Sequence, residues 1–250
     1  WIVAPAAGKE CVVIDPGIDI PNLTPQIQEK LKQHNLKLGA IFITHGHLDH
    51  TFSLISAIED FVDIDCYLHE SDRDLLAHPE RAMGPQSQEL VKQLKSQVNP
   101  NLTFSEPNRT WSLQDKHEIQ LGEMKFRFLH TPGHTLESSC YLLKDEAGKD
   151  YAIFTGDTLF VGDVGRPDLA QKDNEITMEE LAGMLYDSLH EKIMPLANDV
   201  IVYPAHGAGS SCGKNLGSET FSTIGIQKQT NYALQQQTKE AFIKAVTEGL

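Results

Sequence analysis

Four times along this 250-residue chain a short β-rich run ends in histidine or aspartate set among glycines. "AIFI" (Ala40 to Ile43) runs into "THGHLDH", and "KFRFL" runs into "HTPGHT". "AIFT" (Ala152 to Thr155) runs into the rest of "TGDT", and "VIVY" (Val200 to Tyr203) into "PAHG". Loops at the carboxyl ends of adjacent strands converge, and α/β proteins keep their sites there. The residues so collected are His45, His47, Asp49, His50, His134, Asp157 and His206. Imidazole and carboxylate are the usual ligands of Zn, Fe and Mn. A solvated polar turn could account for one such cluster; it does not account for four. His130, ahead of a Thr-Pro turn, reads as readily as a hydrogen-bonded loop residue. His34, His69, His78, His117 and His190 lie in helix-like or polar contexts and receive no role.

The runs are continuous rather than alternating, as in strands covered on both faces, and "CVVI" (Cys11 to Ile14) belongs with them. "IQLGEMKFRF" (Ile119 to Phe128) alternates around Gly122-Glu123 and predicts a hairpin. Between strands the period changes. Thr177 with Glu180 fits a capping box, and Leu181, Met184, Leu185, Leu189 and Ile193 follow at helical spacing. Helices are also expected over Pro25 to Gln33 and Gln86 to Gln97. "NYALQQQTKEAFIKAVTEGL" predicts a helical tail with a turn near Gln237-Thr238. No repeat, low-complexity run or Pro/Gly/Ser linker marks a second domain. The expectation is an α/β layered architecture and one catalytic domain over residues 1–250, with 218–250 as its helical tail.

Charge narrows the partners. A net charge of −14 disfavours a nucleic-acid backbone. No apolar run approaches the roughly 20 residues that span a bilayer. Cys11, Cys66, Cys140 and Cys212 lie far apart and form no CxxC pair, so a reducing, cytoplasmic setting is expected. The chain opens on Trp1 rather than Met, which leaves room for a targeting segment upstream.

Together and in this order, "THGHLDH", "HTPGHT", "TGDT" and "PAHG" resemble the metallo-β-lactamase superfamily, with its HxHxDH signature and three later ligand motifs. The likeness runs over nearly the whole chain. It implies an αββα four-layer sandwich, two mixed β-sheets face to face with outer helices and metal at one edge. It implies a first metal on His45, His47 and His134, a second on Asp49, His50 and His206, and Asp157 bridging. The subfamily signals divide. Up to about Leu129, with "VVIDPG" and "YLHESDRDLL", the chain resembles glyoxalase II-like thioester hydrolases. From His130 it resembles persulfide dioxygenases of the rhodanese-fused type, through "HTLESSCYLL", "GDTLFVGDVGRPDL", "YDSLHEKIMPL" and "YPAHGAGSSCGKN". The final twenty residues are similar to the segment those fusions place before the rhodanese module. "HGAGSSCGKN" discriminates better than "GDVGRPDL", because glyoxalase-like relatives carry a similar Gly-Arg-x-Asp. One departure stands out: rhodanese-fused dioxygenases commonly lack the last histidine of the first motif, and His50 is present here.

Each resemblance implies a chemistry. A dioxygenase would hold one Fe(II) on His45, His134 and Asp157, with open positions for O2 and a low-molecular-weight persulfide such as glutathione persulfide. Its products would be sulfite and thiol. His47, Asp49, His50 and His206 would be additional ligands or would orient the first set. A dinuclear hydrolase would place two Zn ions on the same residues, around a hydroxide that attacks a glutathione-type thioester. Asp49 and Asp157 are the candidate catalytic carboxylates. Arg166, in the "GRPD" loop, and Lys214 are the cationic candidates for an anionic thiol carrier, each weighed against an ordinary surface cation. Cys212 reads as a reactive thiol or as a partly buried structural cysteine. A non-catalytic metal-binding module is the third class, although structural zinc sites close on four ligands and this set is larger. The implied partners are the small thiol derivative and O2. A homodimer and, in relatives, a downstream rhodanese module are compatible with the resemblance.

Overall fold

The apolar runs become inner strands of two sheets, each paired on both edges, and their polar ends are left to the loops. A computed structural model describes residues 1–17, 23–56, 63–82, 85–97, 101, 103–170, 176–214 and 216–250. It divides into two compact units, residues 1–113 with 120–124, and residues 114–119 with 125–250.

The first unit is built on a five-stranded sheet in the order β1 (Ile2–Val3), β2 (Glu10–Ile14), β3 (Lys37–Phe42), β4 (Asp65–His69) and β5 (Thr110–Leu113). β1 runs antiparallel to β2, and every later pair is parallel. Parallel neighbours need crossovers, supplied here by α1 (Leu23–Gln33), α2 (Leu48–Ser56), α3 (Arg73–Ala77) and α4 (Pro85–Gln97). Val13, Ile41, Ile43 and Leu68 from the strand segments pack with Phe52, Leu76 and Leu94 from the helices.

The second unit carries a six-stranded mixed sheet. β6 (Glu118–Leu121) and β7 (Met124–His130) form the expected hairpin, with Gly122 at φ +53° in its turn. β8 (Ser139–Lys144) and β9 (Asp150–Gly156) continue antiparallel. α5 (Met178–Ser188) then crosses over to β10 (Ile201–Pro204), which is parallel to β9, and the two-residue β11 (Ser222–Thr223) closes the edge. The capping box forms as read: Glu180 N–H donates to Thr177 Oγ1 at 3.1 Å and Thr177 N–H to Glu180 Oε2 at 2.8 Å. Past Ser188 the helix loosens into a π turn over Leu189–Ile193, which keeps both of those residues in the core. The tail forms α6 (Ile224–Thr230) and α7 (Lys239–Thr247), and Thr238 caps α7 at the expected turn. Ile224, Leu234, Phe242 and Val246 from this tail pack with Leu142, Ile153, Leu185 and Val202. Among the described residues no helix is long and apolar enough to cross a membrane.

Candidate functional site

In the first unit the ligand candidates gather beyond the carboxyl end of β3. His45 and His47 occupy the turn after the strand, and α2 starts early enough that Asp49 and His50 stand on its first turn. All three histidines are buried. Nε2 of His45 lies 3.0 Å from Nδ1 of His47, the ring centroids of His45 and His50 are 4.0 Å apart, and His50 Nε2 is 3.6 Å from the Asp49 carboxylate.

Asp15, which belongs to none of the four ligand motifs, organises this cluster. It sits after β2 at φ +49°, directly before Pro16, a backbone state that a non-glycine residue rarely adopts. The strained position aims its carboxylate at the ligand turn. It accepts from Thr44 N–H at 2.8 Å, Thr44 Oγ1 at 2.7 Å and His50 Nδ1 at 2.8 Å. A threonine hydroxyl has one proton, and Thr44 gives it to Asp15, so Thr44 must accept from His45 Nδ1, 3.1 Å away. In their neutral form His45 and His50 therefore both carry the proton on Nδ1 and leave Nε2 without one. Metal ligation requires that tautomer. The signal available in the sequence was "VVIDPG", an acid-Pro-Gly turn at the end of a continuous strand.

In the second unit His134 follows β7, Asp157 follows β9 and His206 follows β10. The Asp157 side chain is fully buried and offers one oxygen to each imidazole, Oδ2 at 3.5 Å from His134 Nε2 and Oδ1 at 3.4 Å from His206 Nε2. These separations are long for hydrogen bonds. They suit donors that converge on a shared cation. His134 Nδ1 donates to the Arg166 carbonyl at 2.8 Å, so in the neutral ring Nε2 is the nitrogen without a proton. The Cys212 sulfur joins Asp157 and His206 in a set whose ligand atoms all lie within 4.8 Å of one another.

Two glycines let these loops close. A Cβ at Gly165 would stand 1.9 Å from the Asp157 carbonyl oxygen, and one at Gly133 would stand 2.4 Å from Leu185 Cβ. No side chain fits at either position. Arg166 reaches His134 through its main chain, while its guanidinium pairs with Asp168 at 2.9 and 2.5 Å. Lys214 is placed elsewhere: its ammonium donates to the carbonyls of Ala245 and Glu248 at the end of α7. Asn215, the last residue of "HGAGSSCGKN", lies outside the described residues. His130 ends β7, donates from Nε2 to the Leu136 carbonyl at 2.7 Å and braces the loop that carries His134.

Residues 1–206 match the family model described as the metallo-beta-lactamase superfamily. The hydroxyacylglutathione hydrolase GloC of Haemophilus influenzae is 30% identical over 223 residues, covering 89% of this chain and 86% of that one. The crystal structure of a metallo-beta-lactamase from Staphylococcus aureus is similar with a TM-score of 0.71 at 30% identity. That match takes in 96% of this chain, which spans 61% of the staphylococcal chain. The protein TTHA1623, crystallised in a di-iron-bound form, is similar with a TM-score of 0.57 at 25% identity, covering 89% of this chain and 88% of that one.

Proposed function

Because this chain belongs to the metallo-β-lactamase superfamily, we propose that it is a metal-dependent enzyme, working as one catalytic domain, that oxidises a low-molecular-weight thiol persulfide such as glutathione persulfide. One observation in the second unit carries this reading. The two segments that most resemble rhodanese-fused persulfide dioxygenases, "GDVGRPDL" and "HGAGSSCGKN", fold against each other at His134. Arg166 N–H donates to the Cys212 carbonyl at 2.9 Å and its Nη1 to the Ser211 carbonyl at 3.3 Å, while its own carbonyl fixes His134. The motifs that point to the subfamily thus set the tautomer of a ligand.

The donor set fits a metal, since His45, His50 and His134 present unprotonated Nε2 atoms and Asp157 is a buried carboxylate. We assign His45, His134 and Asp157 to one Fe(II), with His47, Asp49, His50 and His206 as further ligands or orienting groups. The iron would supply the binding of O2 and of the persulfide sulfur. The reaction balances as RSS⁻ + O2 + H2O → RSH + HSO3⁻: the S–S bond breaks, the two sulfurs together lose four electrons and O2 gains them. Asp157 offsets the charge of the cation in a buried setting. Asp49, partly open to solvent on the first turn of α2, is the carboxylate suited to accept a proton from the incoming water. Arg166, braced by Asp168, holds His134 through its carbonyl and is the cation we assign to an anionic thiol carrier.

A second reading is kept for a specific observation. Asp157 turns one oxygen to His134 and the other to His206, so one carboxylate faces both ligand candidates. That arrangement would also suit two Zn ions, which would supply a hydroxide for hydrolysis of a glutathione-type thioester. No disulfide joins the four cysteines among the described residues, and we take a reducing, cytoplasmic setting for either activity. The test is metal content per chain, with oxygen uptake on glutathione persulfide measured beside thioester hydrolysis. The expected result is about one iron per chain and one sulfite formed for each O2 consumed. Two tightly bound zinc ions without persulfide-dependent oxygen uptake would overturn the dioxygenase in favour of the hydrolase.

A further inference from the structure

The family model ends at His206, which leaves residues 207–250 outside it. The second unit nevertheless builds that extension into the loops that carry the ligand candidates. The turn over residues 160–164 lies in the chain between Asp157 and Arg166 and is closed by a bridge between Leu159 and Val164. Buried amides of the tail read its main chain almost group by group. Asn231 Nδ2 donates to the carbonyls of Asp163 at 2.9 Å and Phe160 at 3.3 Å, and Gln227 Oε1 accepts from Gly162 N–H at 2.9 Å. The two amides bond to each other at 3.1 Å, and both are 0% exposed. Their remaining groups are also used: Gln227 Nε2 donates to Ser222 Oγ and Asn231 Oδ1 accepts from Ala233 N–H. A buried amide network satisfied to this degree admits one arrangement of the turn it holds.

The turn transmits that constraint through its own side chains. Asp163, also 0% exposed, accepts from Lys214 N–H at 2.6 Å and hydrogen-bonds the Tyr232 side chain. It therefore ties the tail to the loop that carries Cys212. The Phe160 ring stands edge-on to His206, 5.9 Å between centroids. Arg166, two residues past the turn, bonds both Cys212 and His134 through its main chain.

We infer that Asn231 and Gln227 are positioning residues, which fix the 160–164 turn and through it the loops of His206, Cys212 and Arg166. The inference rests on the reading of Asp157 and His206 as metal ligands for its metal-linked consequence, and on hydrogen-bond geometry alone for its effect on the loops. If the amides only filled the core, their loss would lower the melting temperature and nothing else.

The test uses the full chain with Asn231→Asp, an isosteric change that turns an oxygen toward two carbonyls. Val246→Ala serves as a control that loosens the same core away from the turn. If Asn231→Asp does not fold, Tyr232→Phe removes only the hydroxyl at Asp163 and takes its place. Two quantities are read: Co(II) affinity with the visible spectrum of the bound ion, and the rate at which a thiol reagent labels Cys212 in metal-free protein. The other three cysteines are buried, so Cys212 dominates the labelling. The expected result is Co(II) binding weakened about 10-fold with an altered spectrum, and labelling accelerated several-fold, with neither change in Val246→Ala. A wild type that binds no Co(II), combined with faster labelling of the variant, would remove the metal reading and leave the positioning role standing. Unchanged labelling in Asn231→Asp, or in Tyr232→Phe where the first does not fold, would overturn the positioning role, whatever the metal does.

Discussion

Asp157→Ala is expected to yield a folded protein with almost no turnover. The side chain is buried between two imidazoles and presents an oxygen to each. Both proposed chemistries need its negative charge beside the cation, and a metal-bound group of this kind contributes several kcal/mol to the transition state. At about 1.4 kcal/mol per factor of ten, the activity should fall by about 10³-fold or more. The fold has little reason to follow. Gly165 packs against the Asp157 carbonyl oxygen, which alanine retains, and the deleted carboxylate is costly to bury when no cation balances it. The metal-free variant should therefore melt no lower than metal-free wild type, and the stabilisation that added metal confers should shrink. Circular dichroism, metal analysis and turnover on the same preparation check this. Full activity in variant protein of verified metal content would remove Asp157 from the proposed site.

The second large effect separates the two chemistries. His206→Ala and His50→Ala each delete a ligand of the second ion if two metals are used, and thioester hydrolysis should then collapse as the paired clamp on the hydroxide is lost. If one Fe(II) sits on His45, His134 and Asp157, both histidines act from outside it, and each loss should cost about 10–100-fold in affinity or activity. The two variants are not equivalent. His50 shares Asp15 with Thr44, so its removal also loosens the bond that sets the His45 tautomer. A larger loss in His50→Ala than in His206→Ala, with iron still near one per chain, is the pattern expected of the dioxygenase. Loss of one of two zinc ions in both variants, with hydrolysis abolished, is the pattern of its rival.

How much of this was legible depended on how far each residue's role is local. "CVVI", "AIFI" and "AIFT" read correctly because a strand buried on both faces excludes polar residues from its middle, whereas "VIVY" forms a strand with Ile201 and Tyr203 only half-buried. The capping box read correctly because it is a contact between residues three apart. β4 and β5 escaped: "DCYLH" and "TWSL" mix polar and apolar residues over too few positions for periodicity to register. α2 was hidden inside the ligand motif, where Asp49 and His50 read as loop chemistry while also forming a helix's first turn. Asp15 was hidden for the opposite reason, because an acid before Pro-Gly reads as an ordinary turn and its partners are 29 and 35 residues away. Lys214 was legible as a cation but not as a cap for a helix more than twenty residues later. The tail was read as helical from its period, yet Gln227 and Asn231 face inward, and polarity alone assigns amides to solvent.

That inward-facing tail bears on where the chain can be shortened. A cut at His206, where the family model ends, would remove Ile224, Leu234, Phe242 and Val246 from the core shared with Leu142, Leu185 and Val202. Deleting one large buried apolar side chain costs about 2–5 kcal/mol, and a whole domain holds only about 5–15 kcal/mol in reserve. The loss of four such side chains consumes that reserve, before counting the amides withdrawn from Gly162, Phe160 and Asp163. The length the family model covers is thus shorter than the length needed to stay folded, and the stretch beyond it is one the structure requires.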